Sequence, residues 1–294
     1  MKLTIPEEEI MSPGHLACLG CGATLALRYV LKALGKRTVM TIPACCCTVI
    51  DGPFPFSSYG VPIMHTAFET AASAASGILA GLEMTGNKNI NVLAWAGDGG
   101  TFDIGIQALS GAAERGDNIL YVCYDNEAYM NTGIQRSSAT PWGAWTTTTP
   151  EKHPKDRPKK DIIAIMAAHR IPYAATASIA YPEDLIKKVQ KAKDKKGTKF
   201  LHIFASCPTG WKMRPEDSIK VARLAVETKV FPLYEVENGE VWRITRKPKG
   251  LPVIEYLKIQ GRFRHLKEAD IRRIQENVDK EWDRLMKLAS DTIK

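Results

Sequence analysis

Seven cysteines are the first residues of this sequence that could do chemistry, since thiols bind metals, attack substrates and form redox pairs. Cys18 and Cys21 form a Cys-x-x-Cys pair, Cys45-Cys46-Cys47 is a triple, and Cys207 precedes a proline. Cys-x-x-Cys with remote cysteines, one of them before proline, is typical of an iron-sulfur cluster. Zinc, a thioredoxin-like dithiol at Cys18 and Cys21, and unligated thiols are the alternatives. Cys123 lies in an apolar run and is interpreted as a core residue.

A second set of residues could bind a divalent cation and a diphosphate. An apolar run leads into Gly97-Asp98-Gly99-Gly100, and Asp125-Asn126-Glu127 follows the next apolar run. Glycines allow a close backbone approach, while Asp98, the Asn126 amide oxygen and a nearby carbonyl could hold Mg²⁺. Gly-Asp-Gly alone is more often only a tight turn. An Asn at the end of the next strand, 28 positions after Asp98, strengthens the prediction of a cation site.

The sequence lacks the motifs that are typical of several other protein classes. No Gly-x-Gly-x-x-Gly follows a strand, and no Gly-x-x-x-x-Gly-Lys-Ser/Thr is present, which argues against the common dinucleotide and nucleotide loops. No apolar run approaches the length of a membrane span, and the first residues do not resemble a signal peptide. We therefore expect a cytoplasmic chain. The net charge of +8, with basic residues densest over residues 152–160, 187–199 and 243–249, suits an acidic protein, an anionic substrate or nucleic acid, although no nucleic-acid motif accompanies it.

The elements that must position these residues alternate between strand and helix. Apolar runs predict an α/β fold with a mostly parallel sheet and helices on both faces. The predicted strands are residues 38–43, 90–96, 118–124, 173–178 and 199–206, and the predicted helices are residues 24–34, 67–84, 104–115, 162–168, 182–192 and 215–227.

Residues 231–294 are predicted to form an extension or interface arm behind a domain of residues 1–230. A hairpin is expected around Asn238-Gly239, followed by an amphipathic helix over residues 267–288. Residues 126–160 form a long loop rich in Thr, Pro and Trp, and loops of that length are usually functional or disordered. We favour a functional loop, in which Trp142 and Trp145 line an interface or the mouth of the site, or anchor the loop to the core.

The motifs together resemble the beta subunit of the 2-oxoacid:ferredoxin oxidoreductases, most closely the pyruvate:ferredoxin (pyruvate synthase) type. The resemblance covers most of the chain. It rests on five segments in order, namely Cys18-Leu19-Gly20-Cys21-Gly22-Ala23, His65-Thr66-Ala67-Phe68-Glu69, Gly97-Asp98-Gly99-Gly100-Thr101, Tyr124 to Gly133, and Cys207-Pro208-Thr209-Gly210-Trp211.

This resemblance implies the fold of the thiamin diphosphate enzymes and assigns roles to residues. A [4Fe-4S] cluster close to the cofactor would be held by Cys18, Cys21, Cys46 and Cys207. Mg²⁺ would be held by Asp98, Asn126 and the Ala128 carbonyl, and Asn131 would face the substrate end of the cofactor. The expected cofactor-binding set is Gly97, Asp98, Gly99, Gly100, Asn126, Ala128, Asn131, Thr132, Cys46 and Glu69, with His65 and Asn131 as catalytic candidates. A structural histidine and a helix-start glutamate are the simpler interpretations of His65 and Glu69.

The resemblance also implies a reaction and partners. The expected activity is the oxidative decarboxylation of pyruvate to acetyl-CoA and CO₂, with electrons passing through the cluster to ferredoxin. A ferredoxin-like cysteine run is absent from the sequence, so alpha, gamma and delta type subunits are expected, the alpha type supplying the glutamate that activates the cofactor. Many pyruvate-type members have Gly-Cys-Leu-Glu where this chain has Cys45-Cys46-Cys47-Thr48. An oxalate- or branched-chain-type enzyme, or a non-enzymatic iron-sulfur electron carrier, is the alternative.

Overall fold

A computed structural model describes residues 5–87 and 89–289. Within these residues eight strands form one sheet, consisting of β1 (Thr38–Pro43), β2 (Ile63–Thr66), β3 (Asn91–Gly97), β4 (Leu120–Asp125), β5 (Tyr173–Ser178), β6 (Lys199–Phe204), β7 (Tyr234–Glu237) and β8 (Val241–Ile244). The α-helices are α1 (Gly22–Leu34), α2 (Cys46–Ile50), α3 (Ala71–Met84), α4 (Ile106–Arg115), α5 (Ile162–Ala168), α6 (Pro182–Lys193), α7 (Pro208–Trp211), α8 (Ser218–Glu227), α9 (Ile254–Leu257) and α10 (Glu268–Leu288).

The sheet is mostly parallel and is covered on both faces. Its strand order is β2-β1-β3-β4-β6-β5-β7-β8, and the first six strands run parallel. Alternate residues of β3 and β4 point to opposite faces, so Trp95 and Tyr124 pack in the core beneath α1, α6 and α8. Ala94 and Cys123 pack in the second core, against α3, α4 and α5. The predicted α/β class is confirmed, and Cys123 is a buried core residue.

The strand order brings the chemically interesting loops together. Strands β1, β3, β4 and β6 are consecutive neighbours in the sheet. The triple cysteine follows β1, Asp98 follows β3, Asn126 follows β4, and Cys207 lies shortly after β6. Because parallel strands end at one edge, all four loops meet there, at the edge where α/β sheets bind ligands.

Some element boundaries differ from the sequence prediction. The helix predicted over residues 67–84 begins at Ala71, because residues 67–70 form a turn in which the Thr70 amide donates to the Ala67 carbonyl at 3.1 Å. Glu69 therefore lies in a turn before α3, and not at the start of the helix as predicted. Likewise, a π-helical turn, Gly99–Asp103, precedes α4.

The C-terminal residues extend the same sheet. Strand β7 pairs antiparallel with β5, and β8 pairs antiparallel with β7. Asn238 and Gly239 have φ of 54° and 73°, the conformation that two-residue hairpin turns require. Helix α10 packs through Leu285 on the second core. The division at residue 230 stays a prediction. No helix among the described residues has both the length and the apolar composition to cross a membrane.

Candidate active site at the carboxyl edge of the sheet

A cavity of about 180 Å³ opens where the loops after β1, β3 and β4 meet. Residues predicted to bind a cofactor form most of its wall. They are Cys46, Gly97, Asp98, Gly99, Gly100, Asn126, Ala128, Asn131 and Thr132, and they are joined by Ala44, Cys45, Phe68, Tyr124, Tyr129 and Met130. We call this space the cofactor cavity. Strands β3 and β4 bring Asp98 and Asn126, which lie 28 positions apart in the sequence, to the same cavity, as their spacing predicted.

Three polar groups converge on one point beside this cavity. A terminal atom of the Asn126 amide lies 2.9 Å from Asp98 Oδ1 and 2.9 Å from the Ala128 carbonyl oxygen. With nitrogen in that position, the amide donates to both oxygens. With the amide turned over, its oxygen lies at that distance from each of the other two oxygens. Adjacent ligands of an octahedral Mg²⁺ are also about 2.9 Å apart, since each lies 2.0–2.1 Å from the ion. The donor set therefore fits Mg²⁺ in chemistry and in spacing.

The Asp98 carboxylate is buried and lies near a second acid. Ser137 Oγ donates to Asp98 Oδ2 at 2.5 Å. Burial, followed by the charge of Asp125, raises the pKa of Asp98 well above its usual range. A cation at the convergence point would favour the ionised carboxylate again.

Gly99 is required by the close approach of an aromatic ring. A Cβ at this position would lie 2.3 Å from Cε1 of Tyr129, so no other residue fits without moving the ring. Tyr129 is fixed in turn, because its hydroxyl donates to Asp103 Oδ2 at 2.7 Å and its ring packs edge-on against Phe68 at 5.9 Å. The Gly-Asp-Gly turn therefore packs directly against the loop after β4.

A second cavity, of about 190 Å³, contains the four cysteines that the resemblance implies as cluster ligands. Cys18, Cys21, Cys46 and Cys207 all line it. We call it the cysteine cavity. The Cys-x-x-Cys turn lies there because the Gly22 amide donates to the Ser206 carbonyl at 2.9 Å, just before Cys207. The cofactor and cysteine cavities share Cys46, Asn126, Met130 and Asn131.

The three cysteines after β1 point in different directions. Cys46 lines both cavities, Cys45 lines only the cofactor cavity, and Cys47 is fully buried and accepts from Trp95 Nε1 at 3.1 Å. Burial raises the pKa of Cys46, and so do the neighbouring Cys45 and Cys207. Burial also raises the pKa of Cys207, to about 11. Thiols in this arrangement ionise when a bound metal supplies compensating positive charge.

The structure puts two predicted residues away from the cavity walls. His65 in β2 has an exposed side chain, with Nε2 3.5 Å from Asp51 Oδ2, and it does not line the cofactor cavity. Glu69 does not line it either, whereas its neighbour Phe68 does. Trp142 and Trp145 anchor the long loop: Arg273 stacks over Trp142 at 4.6 Å, and the Lys212 ammonium lies 3.1 Å from the centre of the Trp145 ring.

A buried ionic network around the loop of residues 125–128 was missed by the sequence analysis. Lys159 donates to Asp125 and also to Glu127 Oε1, the latter at 2.9 Å, and Arg262 Nη2 donates to Glu127 Oε2 at 2.6 Å. His202 Nε2 lies 2.6 Å from Asp125 Oδ2. Burial alone would raise the pKa of Asp125, but the attraction of Lys159 and His202 outweighs it and lowers this pKa to about 2. The acids on either side of Asn126 are thus both paired.

Among residues 5–87 and 89–289, no three His, Cys, Asp or Glu side chains come close enough together to bind a single metal ion. The cation site described above has one such side chain, Asp98, together with an amide and a backbone carbonyl. A four-iron cluster holds its thiolates further apart than one ion does, since each thiolate binds a different iron.

Comparison with known proteins identifies the fold and the family. Residues 47–203, more than half of the chain, match the family model "Thiamine pyrophosphate enzyme, C-terminal TPP binding domain". A solved 2-oxoglutarate:ferredoxin oxidoreductase from Magnetococcus marinus shares the fold with a TM-score of 0.58 at 20% identity, over 76% of this chain and 81% of that one.

Two curated relatives match nearly the whole chain. The ketoisovalerate oxidoreductase subunit VorB of Pyrococcus furiosus is 55% identical over 98% of this chain and 96% of its own length. The pyruvate synthase subunit PorB of Methanocaldococcus jannaschii is also 55% identical, over 94% of this chain and 96% of its own length. The resemblance drawn from the motifs is confirmed. The chain belongs to the thiamin diphosphate-dependent 2-oxoacid:ferredoxin oxidoreductases, and within them to the beta subunits.

Proposed function

We propose that this chain is the catalytic beta subunit of a complex that oxidatively decarboxylates pyruvate to acetyl-CoA and CO₂, with the electrons passing to ferredoxin. The observation that carries the proposal is the shared wall between the cofactor and cysteine cavities, formed by Cys46, Asn126, Met130 and Asn131. A cofactor in one cavity and a cluster in the other would be separated by single side chains. Electron transfer between them would therefore need no moving part of the chain.

Thiamin diphosphate supplies the carbon nucleophile and the electron sink of this reaction, and a [4Fe-4S] cluster accepts one electron at a time. The chain's own residues bind and orient these groups. Asp98, Asn126 and the Ala128 carbonyl would hold Mg²⁺, whose charge would neutralise the diphosphate. Gly99 and Gly100 line the same cavity and would offer their backbone to the diphosphate.

The substrate end of the cavity is assigned to Asn131 and Thr132, which are exposed on the loop after β4. Thr132 Oγ1 donates to Gln135 Oε1 at 2.6 Å, and the Gln135 amide donates back to the Thr132 carbonyl at 2.8 Å. This reciprocal pair fixes the turn that carries Asn131. We assign to Asn131 a hydrogen bond to the 2-oxoacid or to the reacting end of the cofactor. His65 and Glu69 lie outside the cavity wall and would act only through a partner or a closed state.

We assign the cluster to Cys18, Cys21, Cys46 and Cys207, since all four line one cavity. Cys46 is favoured over its two neighbours because Cys45 does not line that cavity and Cys47 is buried against Trp95.

A branched-chain 2-oxoacid is the second candidate substrate, because a ketoisovalerate oxidoreductase subunit is as similar to this chain as a pyruvate synthase subunit is. An oxalate-type substrate is a third. The assembled complex, assayed with pyruvate, 2-oxoisovalerate and oxalate in the presence of coenzyme A and a low-potential dye, discriminates between them. A higher kcat/KM for pyruvate supports the first assignment, and a preference for either other acid contradicts it.

Partner chains are part of the proposal. The relatives are named as subunits, and we propose alpha, gamma and delta type partners in a cytoplasmic complex. The alpha type supplies the glutamate that activates thiamin diphosphate, and a ferredoxin-like partner accepts the electrons. Phe54, Phe56 and Met64 are large exposed apolar side chains, which a partner would cover.

The cofactor assignment is tested with Asp98→Ala in the assembled complex. Removing the carboxylate should abolish Mg²⁺-dependent retention of thiamin diphosphate, measured by cofactor content after desalting with and without Mg²⁺. Asp156→Ala, at an exposed carboxylate of the long loop, is the control and should retain the cofactor. Equal retention in the Asp98 variant and the control would favour the electron-carrier alternative. Zinc in place of iron in the purified complex would contradict the redox role.

A further inference from the structure

We propose that Trp211 and Arg262 are positioning residues that hold the metal-binding loop, residues 125–128, in the conformation in which Asn126 and Ala128 can share one cation. This inference rests on the proposed function, because it concerns the same Mg²⁺ site. Neither residue lines the cofactor cavity, so each acts through the backbone or side chain of the loop.

The loop depends on an unusual backbone conformation. Glu127, between the two proposed ligands, has φ of 67°, in the left-handed region that residues other than Gly, Asn and Asp seldom adopt. This turn reverses the chain direction between Asn126 and Ala128, so that the amide of the first and the carbonyl of the second reach the same point. A chain free to relax would move Glu127 to negative φ and separate them. Something in the surroundings must therefore hold the turn.

Trp211 holds the first half of the turn. Its indole Nε1 donates to the Asn126 carbonyl at 2.8 Å, and the ring is fully buried. This bond fixes the plane of the peptide between Asn126 and Glu127. That peptide enters the turn at Glu127, so the bond holds the backbone between the two proposed ligands in place.

Arg262 holds the second half. Its guanidinium donates through Nη2 to Glu127 Oε2 at 2.6 Å, and its charged plane stacks on the Trp211 ring at 4.0 Å. Gln260 Oε1 and the Tyr256 hydroxyl orient it at 2.9 Å and 3.1 Å. The Thr140 hydroxyl adds a bond to the Glu127 carbonyl at 2.7 Å. Trp211 and Arg262 therefore form one stacked unit that fixes both the backbone and the side chain of the turn.

The same unit reaches the cysteine cavity. Trp211 is the last residue of α7, whose first turn begins at Cys207, and its amide donates to the Cys207 carbonyl at 2.9 Å. Cys207 Sγ accepts from the Gly210 amide at 3.4 Å. One four-residue helix thus connects a proposed cluster thiol to the carbonyl of a proposed Mg²⁺ ligand.

The test measures metal binding directly. In the assembled complex, freed of divalent cations and supplied with thiamin diphosphate, Mn²⁺ is titrated and its free fraction is followed by electron paramagnetic resonance. Trp211→Phe removes the indole N–H together with the five-membered ring that carries it, and keeps a six-membered aromatic ring beneath Arg262. We expect it to weaken Mn²⁺ binding about 10- to 100-fold, the usual effect of losing a group that orients a metal ligand. Arg264→Ala, an exposed arginine two positions after Arg262, should bind Mn²⁺ as the unaltered complex does.

A second pair of variants separates positioning from charge balance. Arg262→Met leaves Glu127 with Lys159 alone, and Arg262→Met combined with Glu127→Gln removes both charges. If Arg262 positions the turn, Mn²⁺ binding stays at least 10-fold weaker in the double variant. If the double variant instead binds Mn²⁺ with full affinity, Arg262 only compensates the charge of Glu127. The proposal that Arg262 is a positioning residue would then be wrong.

Failure of the inference is distinguishable from failure of the proposed function. If the unaltered complex binds Mn²⁺ with thiamin diphosphate, and Trp211→Phe binds it equally well, only the positioning role is wrong. If the unaltered complex shows no Mn²⁺ site that Asp98→Ala abolishes, the proposed function fails and the inference fails with it.

Discussion

Cys46 and Asn131 each line both the cofactor cavity and the cysteine cavity. They come from loops after β1 and β4, and these strands are separated in the sheet only by β3, which carries Asp98. The position of one thiol and one amide therefore defines the boundary between the two cavities. A substitution at Cys46 is expected to affect both.

The cysteine assignment predicts which thiols hold iron. In Cys18→Ser, Cys21→Ser, Cys46→Ser and Cys207→Ser, the iron content of the anaerobically purified complex should fall, with loss of the reduced-cluster signal in electron paramagnetic resonance. A hydroxyl is a much poorer ligand for iron than a thiolate. Cys123→Ser is the matched control and should keep its iron. Iron retained in Cys46→Ser but lost in Cys45→Ser or Cys47→Ser would assign the fourth ligand to a neighbour.

The Cys-x-x-Cys turn packs closely against the residues that follow β6. We therefore predict that the Gly22→Ala variant loses iron although all of its cysteines are still present. A Cβ at Gly22 would lie 2.6 Å from the Ser206 amide nitrogen and 2.7 Å from its carbonyl oxygen, and neither backbone atom can move aside cheaply. We expect the turn to shift, at about 1–3 kcal/mol in the free energy of unfolding. Iron analysis and urea unfolding measure the two effects. Gly14→Ala is the control, since its Cβ would meet nothing within 4 Å.

The ionic network predicts a large loss of stability from Lys159→Met. The variant leaves Asp125 and Glu127, which are buried, without the ammonium group that bridges them. Removing one partner from a buried ion pair costs about 3–5 kcal/mol in the free energy of unfolding. Lys152→Met, at an exposed lysine seven positions earlier, should change it by less than about 0.5 kcal/mol. Similar unfolding midpoints for the two variants would contradict the network's role.

The ion pairs of Glu237 in β7 predict that the free energy of unfolding decreases at acidic pH. Hydrogen bonds from Lys191 and Lys195 lower the pKa of its carboxyl to about 2. A lowered pKa stabilises the folded chain above pH 4.5, and this contribution is lost as the pH falls from 4.5 towards 2. After allowance for solvent screening we expect about 1–2 kcal/mol.

Glu237→Gln should therefore unfold in urea more easily than the unaltered iron-free chain at pH 6, and about equally at pH 2.5. Glu240→Gln, at an exposed position in the same hairpin, should show no such difference at either pH. A gap between Glu237→Gln and the unaltered chain that persists at pH 2.5 would show that the carboxylate is not the cause.

The sequence predicted the parts of the site that depend on local spacing. Asp98 and Asn126 follow two consecutive apolar runs of strand length, and both line one cavity. Short elements were missed for a physical reason. Strand β2 has four residues, two of them exposed, and α2 and α7 are about one turn each. Elements so short carry no hydrophobic periodicity to detect.

The buried basic residues show the limit of sequence reasoning more clearly. The sequence alone predicts that the basic residues, Lys155 and Lys159 among them, contribute to the surface charge that suits an acidic partner or is simply solvated. Lys155 is instead buried on backbone carbonyls, and Lys159 is paired with acids. The carboxylate of Glu127 is 32 positions from Lys159 and 135 positions from Arg262. The sequence around a lysine or an arginine does not indicate an ion-pair partner so far away in the chain. These ion pairs are therefore recognised only in the folded structure.

The strand order has a consequence for how the subunit loses activity. The outer two of the four central strands, β1 and β6, lead to Cys46 and Cys207, and the inner two, β3 and β4, lead to the proposed magnesium ligands. A cluster held by Cys46 and Cys207 would link the loops on either side of those proposed to bind the diphosphate. Oxidative damage to the cluster should then also weaken the binding of thiamin diphosphate, so that one oxidation event removes the function of both cofactors.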